Sequence, residues 1–430
     1  MLVETTNPNK ILVTHLLPGP FVQQVAIALF EHKMLAGFAT TLIDKPNSKQ
    51  RNLLCNLAKT FNYDLAHQLS RRVVNELPQS LVRDYPWQEL VRLVVSRVDK
   101  QKILTDLVFH WEVNGYDNWV ARKHLSNVDS IYGYEYACLK SFQAAAKQGI
   151  ARIYDVPSPE HDFVENLLEI EYQNFPELQT PYRKYCRARQ TQRTQKRRAE
   201  WELADVVITN SQFTKASYQA AGLDVTKMRV VPLAAPTVCS DGIYGGTQEQ
   251  EPIKFLWAGT FSVRKGAHYL LQAWKQLQLK NKARLEVFGA MGLPSSLVEN
   301  LPDSINISGT VPHSELFQYY QQADVLLFPT LCDGFGMVVT EAFAHGLPVI
   351  TTDRAGAADL VRHHVNGLII PAGDVNALAE AMEWCITHRQ ELKAMRQPAL
   401  ETAANWQWWN YRQALVTNIL DGLKTAGYQV

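Results

Sequence analysis

The chain has few cysteines and no paired ones. Cys55, Cys138, Cys186, Cys239, Cys332 and Cys385 are scattered over 430 residues. That spacing excludes a disulfide framework and a CxxC-type zinc site, and it fits a reducing compartment. Charge of one sign is also lacking. The formal net charge is +1, which argues against a dedicated nucleic-acid binder. No apolar run approaches the roughly 18–20 residues that a membrane span needs. The polar start MLVETTNPNK shows no secretory signal, so a cytoplasmic location is expected. An Asp-x-Asp pair, which could hold a divalent metal on a diphosphate, is absent as well.

What is present is alternation. Strand signals at Lys10–His15 and Phe38–Ile43 flank a helical pattern, Phe21–Leu35, with Gly37 as its cap. A charged helical region follows from Arg51 to His124. Further strands are expected at Asp129–Gly133, Ala151–Val156, Val206–Asn210 and Arg229–Pro232. The Gly/Pro-rich stretch 236–252 reads as a linker, after which the alternation restarts. This order implies an α/β protein with two parallel sheets: residues 1–235, and residues 253–405. A final helical segment, 406–430, contains Trp406, Trp408 and Trp409, which read as core. Two doubly wound halves place a ligand in the cleft between them, at the carboxyl ends of the strands.

The most informative stretch is DVLLFPTLCDGFGMVVTEAFAHGLPVITTD, Asp324–Asp353. A strand runs into Asp333-Gly334-Phe335-Gly336, then into a helix carrying Glu341. The glycines permit a sharp turn and close approach to a ligand. The helix start offers free N–H groups to a phosphate, and the two carboxylates offer acceptors to hydroxyls. Hydroxyls plus a diphosphate describe a nucleotide sugar. Two more strand-end loops converge in the same half. FLWAGTFSVRKG ends in Arg264-Lys265-Gly266 before a helix, where cations meet a diphosphate. FGAMG, with Gly289, leaves room for a flat base. Taken singly, these loops read equally as solvated charges or a plain turn. A fourth strand-end segment, Thr352–Val361, carries Asp359, which alone reads as a helix-start carboxylate.

These residues resemble the large family-four retaining glycosyltransferases (glycosyl transferases group 1), similar to sucrose synthase and the phosphatidylinositol mannosyltransferases. The signature is two acidic residues eight apart around Gly-Phe-Gly, met here by Asp333 and Glu341 with Asp replacing the usual first Glu. Leu203–Ser211, Gly346–Ile350 and Asn366-Gly367 extend the likeness. The resemblance implies the GT-B fold, two Rossmann-like domains facing across a cleft, with the final helix packing back toward the first. It implies that Glu341 holds the donor ribose and Asp333 the donor sugar. The amides of Phe335 and Gly336, beside Gly334, would line sugar or phosphate. Lys265 would bind the diphosphate, Gly19 would lie near it, and His161 would reach the sugar from the first domain. Thr260 stands where the family commonly has an arginine, and Arg264 is the candidate replacement. Neither a cofactor nor a metal is expected.

The implied partners are a nucleotide-diphosphate sugar and a glycan, lipid-linked or small-molecule acceptor. A non-catalytic sugar-nucleotide-binding subunit and a nucleotide-sugar epimerase on the same fold are the alternatives. One further run stands out: eight Lys or Arg between Arg183 and Arg198. It reads either as a solvated helix face or as a contact for anionic lipid headgroups at the inner membrane surface.

Overall fold

The computed structural model describes residues 9–44, 69, 72–239, 246–248, 250–279 and 281–429. The first sheet contains β1 (Ile11–Thr14), β2 (Leu35–Thr40), β3 (Val82–Asp84), β4 (Ser130–Tyr134), β5 (Ala151–Val156), β6 (Val206–Thr209) and β7 (Met228–Val230), in the order β3-β2-β1-β4-β5-β6-β7. The second contains β8 (Ile253–Ala258), β9 (Ala283–Phe288), β10 (Ile305–Gly309), β11 (Val325–Phe328), β12 (Val349–Thr352) and β13 (Gly367–Ile370), in the order β10-β9-β8-β11-β12-β13. Neighbouring strands pair in parallel throughout. β1, β6, β11 and β12 are buried at every position, as expected for strands covered by helices on both faces. Strand order reverses between β1 and β4, and between β8 and β11. Those two switch points open the crevices in which a doubly wound sheet takes a ligand.

The first helix is shorter than its sequence pattern. It spans Pro20–Glu31, and Lys33 turns the chain at φ 60° so that Leu35 already enters β2. Gly37 is therefore not a cap. It lies inside β2, where a Cβ would sit 3.4 Å from the Leu81 carbonyl oxygen. Strand β3, at the sheet edge, falls in a region whose charged sequence reads as helix.

The chain crosses to the second sheet after β7, and Ala235 pairs with Gln407 as an isolated parallel bridge. The helix Trp408–Thr425 then lies against the first domain. Its Arg412 meets Glu31 at 2.9 Å, and Gly422 packs so tightly on Val206 that a Cβ would come within 2.5 Å of Cγ1. One apolar cluster consequently runs from Ile11, Val13 and Val206 through Tyr411 and Leu415 to Phe328, Phe335 and Val339. Trp406 and Trp408 pack against it, but Trp409 does not join it as the sequence suggested: it is 62% exposed.

Candidate active site

The loop after β8 ends at Gly266, which caps the helix Ala267–Leu277 with φ 79°. A Cβ on Gly266 would fall 1.9 Å from the carbonyl oxygen of Pro329, so glycine lets this loop press against the one leaving β11. The two loops are stitched together by Leu331 N–H to the Arg264 carbonyl (2.9 Å) and by Arg264 Nη1 to the Cys332 carbonyl (3.1 Å).

This contact brings Lys265 and Asp333, 68 positions apart, into a direct ion pair. Arg264 Nη1 lies 3.6 Å from the same carboxylate oxygen. The Lys265 ammonium also sits 4.7 Å from the Phe328 ring centroid, a cation–π distance. Burial pulls the Lys265 ammonium below the usual lysine range, and Asp333 offsets part of that. Burial pushes the Asp333 carboxyl up, but Lys265 and Arg264 outweigh it, so the net shift is downward. Asp333 is thus held as a carboxylate facing two cations.

The rest of the turn is fixed by close backbone approach. Gly336 caps the helix Met337–Ala344 at φ 93°, and a Cβ there would strike the Phe328 ring at 2.4 Å. The Phe335 N–H donates to Asp333 Oδ1 at 3.2 Å, so this amide is engaged inside the turn, and its ring is buried core. Gly334 faces the first domain: a Cβ would lie 1.9 Å from the Pro157 carbonyl oxygen. Its own carbonyl accepts from Ser211 Oγ at 2.7 Å. The acidic turn is therefore seated directly on the opposite domain. Asp359 reinforces that seating by accepting the Gln212 N–H at 2.8 Å.

Glu341 lies on the helix Met337–Ala344 and is 8% exposed. Tyr320 donates to its Oε2 at 2.8 Å, and His313 Nε2 lies 3.1 Å from its Oε1. Both partners come from the helix His313–Gln322 and were not singled out by the sequence reading. The available signal was Pro312-His313 at a helix start after β10. Gly289, at φ 150°, would put a Cβ 1.9 Å from the Gly259 carbonyl oxygen, so the loops after β8 and β9 touch. Thr260 is exposed on that rim.

Across the cleft, Gly19 caps the helix Pro20–Glu31. Nearby His15 packs edge-on against Tyr134 at 4.5 Å, and burial draws its imidazole down to about 4. His161 opens the helix Glu160-capped at His161–Asn174. Its Nδ1 lies 2.8 Å from Thr194 Oγ1, which itself donates to Asp162 Oδ1 at 2.7 Å. Nδ1 therefore carries the proton and Nε2 is left as an acceptor. Burial first, then the Arg197 charge, draws His161 down to about 3, so the ring is neutral near pH 7. The structure thus joins Lys265, Arg264 and Asp333 directly, aligns Gly334, Gly336 and Glu341 behind them, and holds Gly19 and His161 in the facing domain.

The basic run is not the open cationic face expected of a lipid contact. Arg193 pairs with Asp106 (2.7 Å), Arg198 with Glu160 (2.9 Å) and Arg187 with Glu169 (3.4 Å). Arg183 pairs with Glu165 and Arg197 with Glu135. These cations tie the helices of the run to neighbouring helices and turns of the first domain.

Residues 252–388 match the family described as glycosyl transferases group 1. The capsular polysaccharide biosynthesis glycosyltransferase CapM of Staphylococcus aureus is 34% identical over 132 residues, 30% of this chain and 35% of that protein. The D-inositol 3-phosphate glycosyltransferase of Corynebacterium urealyticum is 31% identical over 173 residues, 37% of this chain and 41% of the relative. The matched segment thus spans well under half the length of these relatives. Over nearly whole chains, the sucrose-phosphate synthase of Thermosynechococcus elongatus superposes with a TM-score of 0.64 at 18% identity, covering 97% of this chain and 100% of that one. HepE of Anabaena, solved with UDP and glucose, superposes with a TM-score of 0.59 at 17% identity, covering 96% and 100%. The chain therefore has the GT-B fold, and residues 252–388 of its second domain match the glycosyl transferases group 1.

Proposed function

We propose that the chain is a retaining, metal-independent glycosyltransferase that moves a sugar from a nucleotide diphosphate to an acceptor hydroxyl in the synthesis of a polysaccharide, glycolipid or other glycan. The observation that carries this reading is the meeting of Lys265, Arg264 and Asp333 at a GT-B switch point. Two cations there match a diphosphate, and the carboxylate they hold in its charged form matches sugar hydroxyls. The names of the matched relatives and the UDP found with HepE support the same class.

In this reading the donor diphosphate replaces Asp333 as the partner of Lys265, and Asp333 turns to the sugar. Glu341, steadied by Tyr320 and His313, accepts from the ribose hydroxyls. The acceptor oxygen bonds to the anomeric carbon on the face from which the nucleoside diphosphate departs. The departing phosphate oxygen takes the acceptor proton. Lys265 and Arg264 neutralise the charge that builds on the leaving group, a preorganised electrostatic contribution. Neutral His161, an acceptor at Nε2, is suited to a sugar hydroxyl.

The test is a thermal-shift screen against UDP-, GDP- and ADP-sugars, followed by release of the nucleoside diphosphate and NMR of the product's anomeric centre. A donor that raises Tm, turnover unaffected by chelator, and a retained configuration are expected. Lys265→Ala should lower kcat/KM about 100-fold or more, and Arg264→Ala about tenfold or more. No stabilisation and no turnover with any donor would end the reading.

A further inference from the structure

The helix pair Trp87–Val98 and Ile103–Lys123 is built inside out. On the first helix Trp87, Val91, Val94 and Val98 recur at spacings of four, three and four, and so share one face. They are 73%, 43%, 66% and 76% exposed. On the second, Leu104, Leu107 and Trp111 share a face and are 49%, 46% and 52% exposed. The inner side, besides the apolar Val113, Tyr116 and Val120 of the second helix, buries acids. Glu89 is fully buried between Arg72 and Arg92, and Asp106 is held by Arg193. Asp117 accepts the N–H groups of Lys140 and Ser141 at 2.7 and 2.9 Å. Solvent-facing helices ordinarily show the reverse pattern.

The charges are sorted too. Glu89, Asp106, Glu112 and Asp117 are buried, and Asp99 is half-buried while accepting the Thr105 N–H. Every exposed charged residue of 87–123 is a cation: Arg97, Lys100, Lys102, Arg122 and Lys123. Two apolar helix faces whose exposed charges within 87–123 are all cations are complementary to an anionic bilayer surface, with tryptophan and valine in the acyl boundary and lysine among headgroups. A second copy of the chain fits less well, since a two-fold contact would set the same cations against each other. Among the described residues no helix is long and apolar enough to cross a membrane.

We infer that this helix pair seats the protein on an anionic lipid surface. The seat also has a place in the fold. Asp106 and His110, on the other side of the second helix, line a cavity of ≈ 270 Å³ with Tyr136, Arg193 and Pro157. Pro157 is the residue on which Gly334 packs. If the function proposed above holds, an acceptor carried on a lipid reaches the donor turn through this cavity.

Flotation of the purified full chain with vesicles of phosphatidylcholine, alone or mixed with phosphatidylglycerol, tests the inference. The chain should float with the anionic vesicles. A Trp87→Ser/Val94→Ser/Val98→Ser variant should lose at least tenfold in partitioning, and Lys100→Glu/Lys102→Glu should do the same, both with unchanged Tm. Absence of flotation at low salt, or unchanged flotation of the triple-serine variant, would overturn it. So would a dimer in sedimentation velocity that the triple-serine variant dissociates, which would assign the stripe to a second copy. Donor turnover is read separately, so failure of the transferase reading is distinguishable.

Discussion

Lys265 is the residue at which burial and charge oppose each other most directly. Its ammonium is pulled down by desolvation and kept in place by Asp333. Removing the partner leaves a buried cation without its carboxylate, which is costly. Asp333→Ala should therefore lower stability by about 2–4 kcal/mol, read by urea unfolding, as well as abolish turnover. Gly334 is equally constrained, but by space. A Cβ at this position meets backbone, the Pro157 carbonyl, which has no rotamer to yield. Gly334→Ala should part the domains at this contact, visible as a larger radius of gyration in solution scattering. The turnover loss should be about tenfold or more, because misplacement of about 1 Å can cost 100-fold. The residue types here were legible from spacing alone. Their partners were not: Tyr320 and His313 reach Glu341 from 21 and 28 positions away, a pairing that only the packed sheet creates.

Among the elements, two helices do work that their own sequences do not announce. The helix His161–Asn174 belongs by connection to the first domain, yet Leu168 and Tyr172 pack on the second domain's core. Its Glu171 meets His268 Nε2 at 3.0 Å and Tyr269 Oη at 3.2 Å. Glu171→Gln should loosen this strap, seen as faster hydrogen exchange in 161–178 with little change elsewhere. The inside-out helix pair carries a pH signature. Burial leaves the Glu112 carboxyl raised to about 7, with the Arg92 charge opposing the rise and the nearby Glu89 charge adding to it. A carboxyl raised in the folded state contributes stability that is fully present below about 4.5 and lost as pH rises through about 7. Hydrogen exchange in 87–123, corrected for intrinsic rate, should therefore be faster at pH 8 than at pH 6, and Glu112→Gln should flatten that difference. Helical periodicity was visible in this region. Its orientation was not, since a stripe of valine and tryptophan reads as core until the acids are seen to be paired inside.

At the scale of the molecule, the apolar cluster that begins in the first sheet continues through the C-terminal helix into the second domain. Leu415 is fully buried in it. Leu415→Ala should cost about 2–5 kcal/mol. Because the cluster is shared, the loss should shift one cooperative transition, and calorimetry resolving two independent domain transitions would contradict that. The cleft depends on the same continuity, for it is the return of this helix to β6 and to the first helix that sets the two domains face to face.

By itself the sequence determined the α/β alternation and the GT-B resemblance, and it singled out Lys265, Asp333 and Glu341 as candidates, because period, turn glycines and strand-end position are local properties. Tertiary structure decided which charges face each other. It paired five of the basic run's eight cations with carboxylates, closed Lys265 on Asp333, ended the first helix at Glu31 and turned the stripe from Trp87 to Trp111 outward. Those outcomes depend on desolvation and distance between segments far apart in the chain, and neither quantity is written in the order of residues.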